Sequence, residues 1–165
     1  MGSQSEMEKI IVVQPEKCTG CRTCELVCSF THTGEFNPAR SRISVFTFEK
    51  VGFSSPVLCQ QCSTAACMQV CPVGAVSRDN KTGAMVVNSS RCLVCKACTI
   101  ACPLGATFYD HVSDSILKCD LCGGDPECVK FCPSGAITYQ EAGEAGLARR
   151  KAVAAKLKDV YEEVS

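Results

Sequence analysis

The sequence predicts a small α+β protein: short antiparallel strand pairs and short helices in two nested modules, with an amphipathic helix at the C-terminal end. Three observations carry this expectation. All 16 cysteines fall into four groups of four: Cys18, Cys21, Cys24 and Cys28; Cys59, Cys62, Cys67 and Cys71; Cys92, Cys95, Cys98 and Cys102; Cys119, Cys122, Cys128 and Cys132. Three of the groups continue into one motif, C-P-x-G-A then a β-branched residue, at Cys71–Val76, Cys102–Thr107 and Cys132–Ile137. Beyond Gln140 the cysteines have stopped and a helical apolar period takes over.

Each element has a local cause. In the repeated motif proline stops the short helix between the third and fourth cysteines, and glycine turns the chain. The β-branched residue then opens a strand. Strands are expected at Ile10–Val13, Ile43–Phe48, Val76–Arg78, Met85–Asn88, Thr107–Tyr109 and Ile137–Tyr139. The turn formers Asp79-Asn80-Lys81-Thr82-Gly83 join two of these as a hairpin. The first cysteine group departs from the motif, with Ser29-Phe30-Thr31-His32 in its place. Near the C-terminal end Val153, Leu157, Val160 and Val164 make one apolar stripe on a helix over 142–163. A basic section, Arg149, Arg150, Lys151, Lys156 and Lys158, precedes Asp159, Glu162 and Glu163, acidic residues poorly placed against the helix dipole. Such a helix could pack on its own core, or dock on a partner or another copy of the chain.

The first and third groups read C-x2-C-x2-C-x3-C, the run that wraps a cubane 4Fe–4S cluster in thiolates. The second group has four residues in its middle gap and the fourth has five. Four 4Fe–4S clusters would use every cysteine, leaving His32 and His111 as ordinary polar residues. Zinc sites usually separate two C-x2–4-C pairs by a longer stretch, which these tight groups lack. A secreted disulfide scaffold is disfavoured because residues 1–9 are polar and charged and Ile10–Val13 is too short for a signal-peptide core. No run approaches a membrane span, so a cytoplasmic location without direct membrane insertion is expected, export bound to a signal-bearing partner being the alternative. With 17 basic and 17 acidic residues, nothing points to nucleic acid. No G-x-G-x-x-G, P-loop or Ser/His/Asp pattern is present, so no catalytic residue is expected and no cofactor-binding residue beyond the metal ligands. Because cluster-binding energy is folding energy, the metal-free chain is expected to be largely unfolded.

In two-cluster ferredoxins the first three cysteines of one run hold one cube and the fourth ligates the other. Four runs then make two such units. Residues 72–91, between the second and third groups, hold the strand, turn and strand that close a compact two-cluster fold. The expected ligand sets are therefore Cys18, Cys21, Cys24 with Cys132; Cys119, Cys122, Cys128 with Cys28; Cys59, Cys62, Cys67 with Cys102; and Cys92, Cys95, Cys98 with Cys71. The corresponding organisation is an outer ferredoxin-like module over 10–56 and 108–140, an inserted one over 57–107, and the helix over 141–165. Sequential pairing, first group with second and third with fourth, is the alternative.

With these residues in hand, the chain resembles the four-cluster iron–sulfur subunits of the dimethyl sulfoxide reductase type over roughly residues 10–140. The resemblance rests on Lys118-Cys119-Asp120-Leu121-Cys122, on Pro126–Pro133, on Arg91–Cys95 with Ala101-Cys102-Pro103, and on the proline-less first group. It also implies the nested pairing. The second group departs from the pattern, having Gln60-Gln61 and Ser63–Ala66 where a histidine and a proline are often found. In size the chain is similar to the electron-transfer subunits of cytoplasmic tungsten aldehyde oxidoreductases and carbon monoxide dehydrogenases. The resemblance implies single-electron relay between a catalytic tungsten or molybdenum subunit and a second redox subunit or carrier. A free-standing polyferredoxin, or a subunit of a hydrogenase, formate dehydrogenase or carbon monoxide dehydrogenase, is the alternative. Lys17, Arg22, Arg91, Lys96, Lys118 and Lys130, all near cysteines, are candidates to tune cluster potentials.

Overall fold

The computed structural model describes residues 9–144, 146, 147, 150, 151, 153–155 and 158. Its strands form four separate two-stranded antiparallel sheets. β1 (Lys9–Val13) pairs with β8 (Ile137–Glu141), β2 (Ile43–Phe48) with β3 (Phe53–Leu58), β4 (Val76–Arg78) with β5 (Met85–Val87), and β6 (Thr107–Asp110) with β7 (Ser115–Lys118). The first ribbon joins the two ends of the cysteine-rich chain, setting Lys9 opposite Glu141 and Val13 opposite Ile137. The other three are hairpins. Residues 79–83 close the β4–β5 hairpin as the turn formers predict, with Gly83 N–H donating to Asp79 O at 2.9 Å and Lys81 N–H to Asp79 Oδ1 at 2.7 Å.

The six expected strands all form, and two more complete their pairs. β3 was hidden by Pro56 and its two polar neighbours in Phe53-Ser54-Ser55-Pro56. Its proline is tolerated for a geometric reason. Val45, opposite Pro56, sends its N–H away from β3 to the Glu25 carboxylate at 2.6 Å. In an antiparallel ladder the facing residue of such a pair also points its nitrogen outward, so Pro56 costs the ladder no donor. β7 follows Asp110 and Ser113, whose hydroxyl and carboxylate build a tight turn that reads as loop.

Four helices separate the strands: α1 (Thr23–Thr33), α2 (Ala66–Gln69), α3 (Ala97–Ala101) and α4 (Glu127–Lys130). α1 packs on α4 and α2 on α3. The three short helices stop at or before the cysteine that precedes proline. α1 meets no proline, runs past Cys28, and ends only at Gly34, which is left-handed with φ 74°. Ser29, fully buried where the other groups have proline, donates to Leu26 O at 2.9 Å and accepts the Asn37 N–H at 3.1 Å. The departure of the first group therefore has a structural use: it buys a longer helix and pins the following loop.

The core is shared between side chains and thiols. One apolar cluster gathers Ile11, Ile43, Val45, Leu58, Leu121 and Ile137 with Cys24, Cys28, Cys59, Cys119 and Cys128. A second gathers Ala65, Val76, Met85 and Ile116 with Cys67 and Cys98. β8 runs through Glu141, opposite Lys9, so helical backbone begins at residue 142 rather than 141. Of the expected apolar stripe Val153 alone is described, in helical backbone and half-exposed at 51%; Leu157, Val160 and Val164 lie outside the described residues. Among the described residues no helix is long and apolar enough to cross a membrane.

Candidate metal centres

Each of four cavities is walled by four cysteines. Cys18, Cys21, Cys24 and Cys132 line one; Cys28, Cys119, Cys122 and Cys128 another. Cys59, Cys62, Cys67 and Cys102 line the third, and Cys71, Cys92, Cys95 and Cys98 the fourth. In every case three cysteines come from one run and the remaining one is the last cysteine of another. Their other walls are largely apolar, for example Val45, Pro56 and Ile137 in the first and Val76, Val87 and Ile116 in the fourth.

Local backbone geometry aims N–H groups at the sulfurs. The residue just before the second cysteine of each run is left-handed: Gly20, Gln61, Val94 and Leu121, with φ of 70°, 50°, 53° and 57°. Gln61 and Val94 thereby donate N–H to Cys59 Sγ and Cys92 Sγ, each at 3.4 Å. Only the first run uses glycine there, and a Cβ at Gly20 would lie 2.7 Å from Ser54 Oγ. The C-P-x-G-A motif does the same for the last cysteine. Gly74, Gly105 and Gly135 adopt φ of 59°, 60° and 64°, and each donates N–H to the carbonyl of the cysteine three residues earlier. Ala75 N–H then reaches Cys71 Sγ at 3.2 Å. In the first run Arg42 N–H takes this role toward Cys28 Sγ at 3.3 Å.

Thiol acidity follows from these surroundings. Burial works against ionisation of Cys71 and Cys132, but the motif's N–H groups overcome it and hold both below the usual thiol range. Burial pushes Cys24 and Cys119 up to about 12, with Glu25 adding to the first and Cys59 to the second. Burial raises Cys128 as well. Four converging thiols, several too costly to ionise alone, suit a polycationic occupant that would compensate thiolate charge on binding. The residues fit a thiolate-held iron–sulfur group.

Side chains missed by spacing arguments surround these cavities. Gln61 is buried and bridges three segments, donating to Cys119 O at 3.0 Å and accepting Met85 N–H at 2.7 Å. Arg78 donates to Gly83 O at 2.8 Å and Cys62 O at 2.6 Å, tying the β4–β5 hairpin to the second run. His32, expected to be an ordinary polar residue, lines the Cys28 cavity with Nε2 3.7 Å from Cys122 Sγ and 3.5 Å from Asp120. Asp120 in turn meets Arg42 at 2.5 Å. His111 stays outside, exposed and edge-on to Tyr109. Of the six flagged cations, Lys17, Arg22, Arg91, Lys96 and Lys130 are exposed. Lys118 is buried, 5% exposed, with Nζ 3.0 Å from Cys59 Sγ.

The arrangement defines a ferredoxin-type iron–sulfur protein that transfers electrons. Comparison with known proteins agrees. Residues 51–142 match the 4Fe-4S dicluster domain and residues 15–31 a 4Fe-4S binding domain, and the chain belongs to this 4Fe-4S dicluster family. It is similar to the polyferredoxin-like subunit of the aliphatic sulfonate oxidoreductase of Pyrococcus furiosus, 44% identical over 131 residues, covering 79% of this chain and 75% of that one. It is also similar to formate hydrogenlyase subunit 2 of Escherichia coli, 34% identical over 168 aligned positions covering 79% and 81% of the two chains. The electron transport protein HydN of the same organism is 33% identical, with 79% and 87% covered.

Proposed function

We infer that this chain is the non-catalytic electron-transfer subunit of an oxidoreductase complex and carries four 4Fe–4S clusters. The carrying observation is the partition of sixteen cysteines into four four-thiol cavities, with no cysteine left over. The ligand sets are Cys18, Cys21, Cys24, Cys132; Cys28, Cys119, Cys122, Cys128; Cys59, Cys62, Cys67, Cys102; and Cys71, Cys92, Cys95, Cys98. The organisation is nested: residues 10–56 and 108–140 form the outer module and 57–107 the inserted one. The β1–β8 and α1–α4 pairings support the first, and the β4–β5 and α2–α3 pairings the second.

When bound, each group supplies a one-electron couple. The chain's part is to hold the groups in series. Cys24 and Cys28 lie one helical turn apart on α1, about 6 Å along the axis, so the first two sets are neighbours. α2 and α3 with their following residues join the last two sets through Cys67, Cys71, Cys98 and Cys102. Gln61, bonded to Cys119 O, links the halves at Cys59 and Cys119. The order along the relay is thus the Cys18, Cys28, Cys59 and Cys92 sets.

Electrons pass between a catalytic subunit and a second redox subunit or carrier. The relative that is a subunit of an aliphatic sulfonate oxidoreductase supports an oxidoreductase as the catalytic partner. The resemblance of the cysteine motifs to such electron-transfer subunits leads us to take it as a cytoplasmic tungsten or molybdenum aldehyde oxidoreductase. Native anaerobic purification tests this, with metals and co-eluting subunits measured together. About sixteen irons and sixteen acid-labile sulfides per chain, with a large tungsten- or molybdenum-containing subunit, are expected. A stable lone monomer would sink the subunit reading, and zinc in place of iron would sink the cofactor reading.

A further inference from the structure

Among the cations near cysteines, one is held out of water. Lys118 is the last residue of β7, and its chain direction carries the ammonium inward. Its hydrogen-bond partners are Cys59 Sγ at 3.0 Å and Thr107 Oγ1 at 3.4 Å. Among the described residues it forms no ion pair with a carboxylate, so its charge is compensated by sulfur. A buried cation without an anionic partner is costly, and the cost falls only if negative charge stands beside it. The wall of the Cys59, Cys62, Cys67 and Cys102 cavity includes Lys118 itself.

Among the described residues the other three cavities lack an equivalent. Arg22 beside the Cys18 set is exposed, and the buried acidic neighbour there is Glu25, next to Cys24. At the Cys28 set Arg42 is engaged by Asp120. At the Cys92 set Lys96 is exposed and lies over the Tyr109 ring, 3.7 Å from its centroid. Water and ions screen exposed charges strongly, while a buried charge acts through a low dielectric. Reduction adds one electron to a group and makes it more negative, so a fixed adjacent cation favours the reduced form.

We propose that Lys118 makes the cluster held by Cys59, Cys62, Cys67 and Cys102 the easiest of the four to reduce, so that electrons collect inside the relay rather than at its ends. The proposal rests on the four-cluster reading above. Its consequence is a reservoir: an electron delivered at either end moves to this interior position and leaves when an acceptor of higher potential docks. Lys118 is a positioning residue for charge and touches no substrate.

The test is an EPR-monitored redox titration of the full chain purified anaerobically with its clusters. Lys118→Met should leave iron and sulfide unchanged and make the most positive midpoint more negative, by at least tenfold in its one-electron equilibrium, which is 59 mV. The other midpoints should move much less. Lys118→Arg should keep the original value, because it keeps the charge. Lys118→Gln, which keeps an N–H donor and loses the charge, should behave as Lys118→Met and separates charge from hydrogen bonding. Unchanged midpoints in both neutral variants would overturn the proposal, and so would loss of the cluster from both, which would make the lysine an assembly residue. Fewer than four clusters in the unsubstituted chain would instead overturn the reading on which the proposal stands.

Discussion

Ser29 shows how one residue alters a repeat. Three cysteine runs close with proline, whose ring ends the helix, whereas Ser29 keeps its N–H and lets α1 continue to Thr33. Installing the repeat's own residue is therefore harmful at this site. Ser29→Pro should remove a helical hydrogen bond and clash with the preceding turn, at a cost of about 3 kcal/mol or more. The Ser29 Oγ contacts to Leu26 and Asn37 would go as well. Chemical denaturation of the cluster-loaded protein measures this, and an unchanged midpoint would show that α1 does not depend on continuity past Cys28. The sequence announced that the first run was different but not why, because the reason is a loop eight residues away folding back on the hydroxyl. Lys118 was legible as one of six cations that could tune a cluster, with nothing to single it out, and His32 only as an ordinary polar residue. Their burial and aim depend on β7 and α1 reaching cavities built from distant runs.

At the scale of elements, the ribbons were half legible. Strands that follow G-A and a β-branched residue announce themselves, and so does Ile43–Phe48 with its apolar content. Their partners, Phe53–Leu58 and Ser115–Lys118, carry proline, serine or lysine and are strands because a neighbour pairs with them. One ion pair fixes how two of these ribbons sit. Arg40, in the turn before β2, places Nε and Nη2 each 3.1 Å from Asp110 Oδ2 at the end of β6. Burial opposes the Asp110 charge, but Ser113, the Val112 N–H and Arg40 overcome it and hold the carboxyl below its ordinary range. A carboxyl lowered on folding stabilises the fold fully above its unfolded value, about 3.9, and less as pH falls through the folded value. The pair is thus intact at neutral pH. Arg40→Met should strand a buried carboxylate and cost about 3–5 kcal/mol. Asp110→Asn should cost less, since it removes the buried charge and leaves Arg40 with Glu35 at 3.6 Å. Denaturation of both variants at neutral pH checks the order, and equal costs would mean that Asp110 is served by Ser113 and the backbone alone.

For the whole molecule, the question is what holds four two-stranded ribbons together. An isolated hairpin is at best marginal in water. Among the described residues no ribbon joins another in a larger sheet, and three of the four helices that separate the strands span only four or five residues. The buried apolar set is correspondingly thin. Its largest fully buried apolar side chains are Leu58, Met85, Leu121 and Ile137, and Cys24, Cys28, Cys59, Cys67, Cys98, Cys119 and Cys128 fill much of the remainder. A four-thiol group that joins one run to the last cysteine of another would act as a cross-link between segments far apart in sequence, as Cys18 and Cys132 are. Removing the groups withdraws those links and leaves buried polar atoms such as the Glu25 carboxylate with little to enclose them. Anaerobic oxidation with chelation should therefore collapse strand and helix signals in far-UV circular dichroism together with the iron–sulfur absorbance. Hydrogen exchange should become fast in β1 and β8 as well as in the inserted hairpin. Retention of slow exchange in the β1–β8 ribbon after complete iron loss would show instead that the apolar cluster around Ile11 and Ile137 folds by itself.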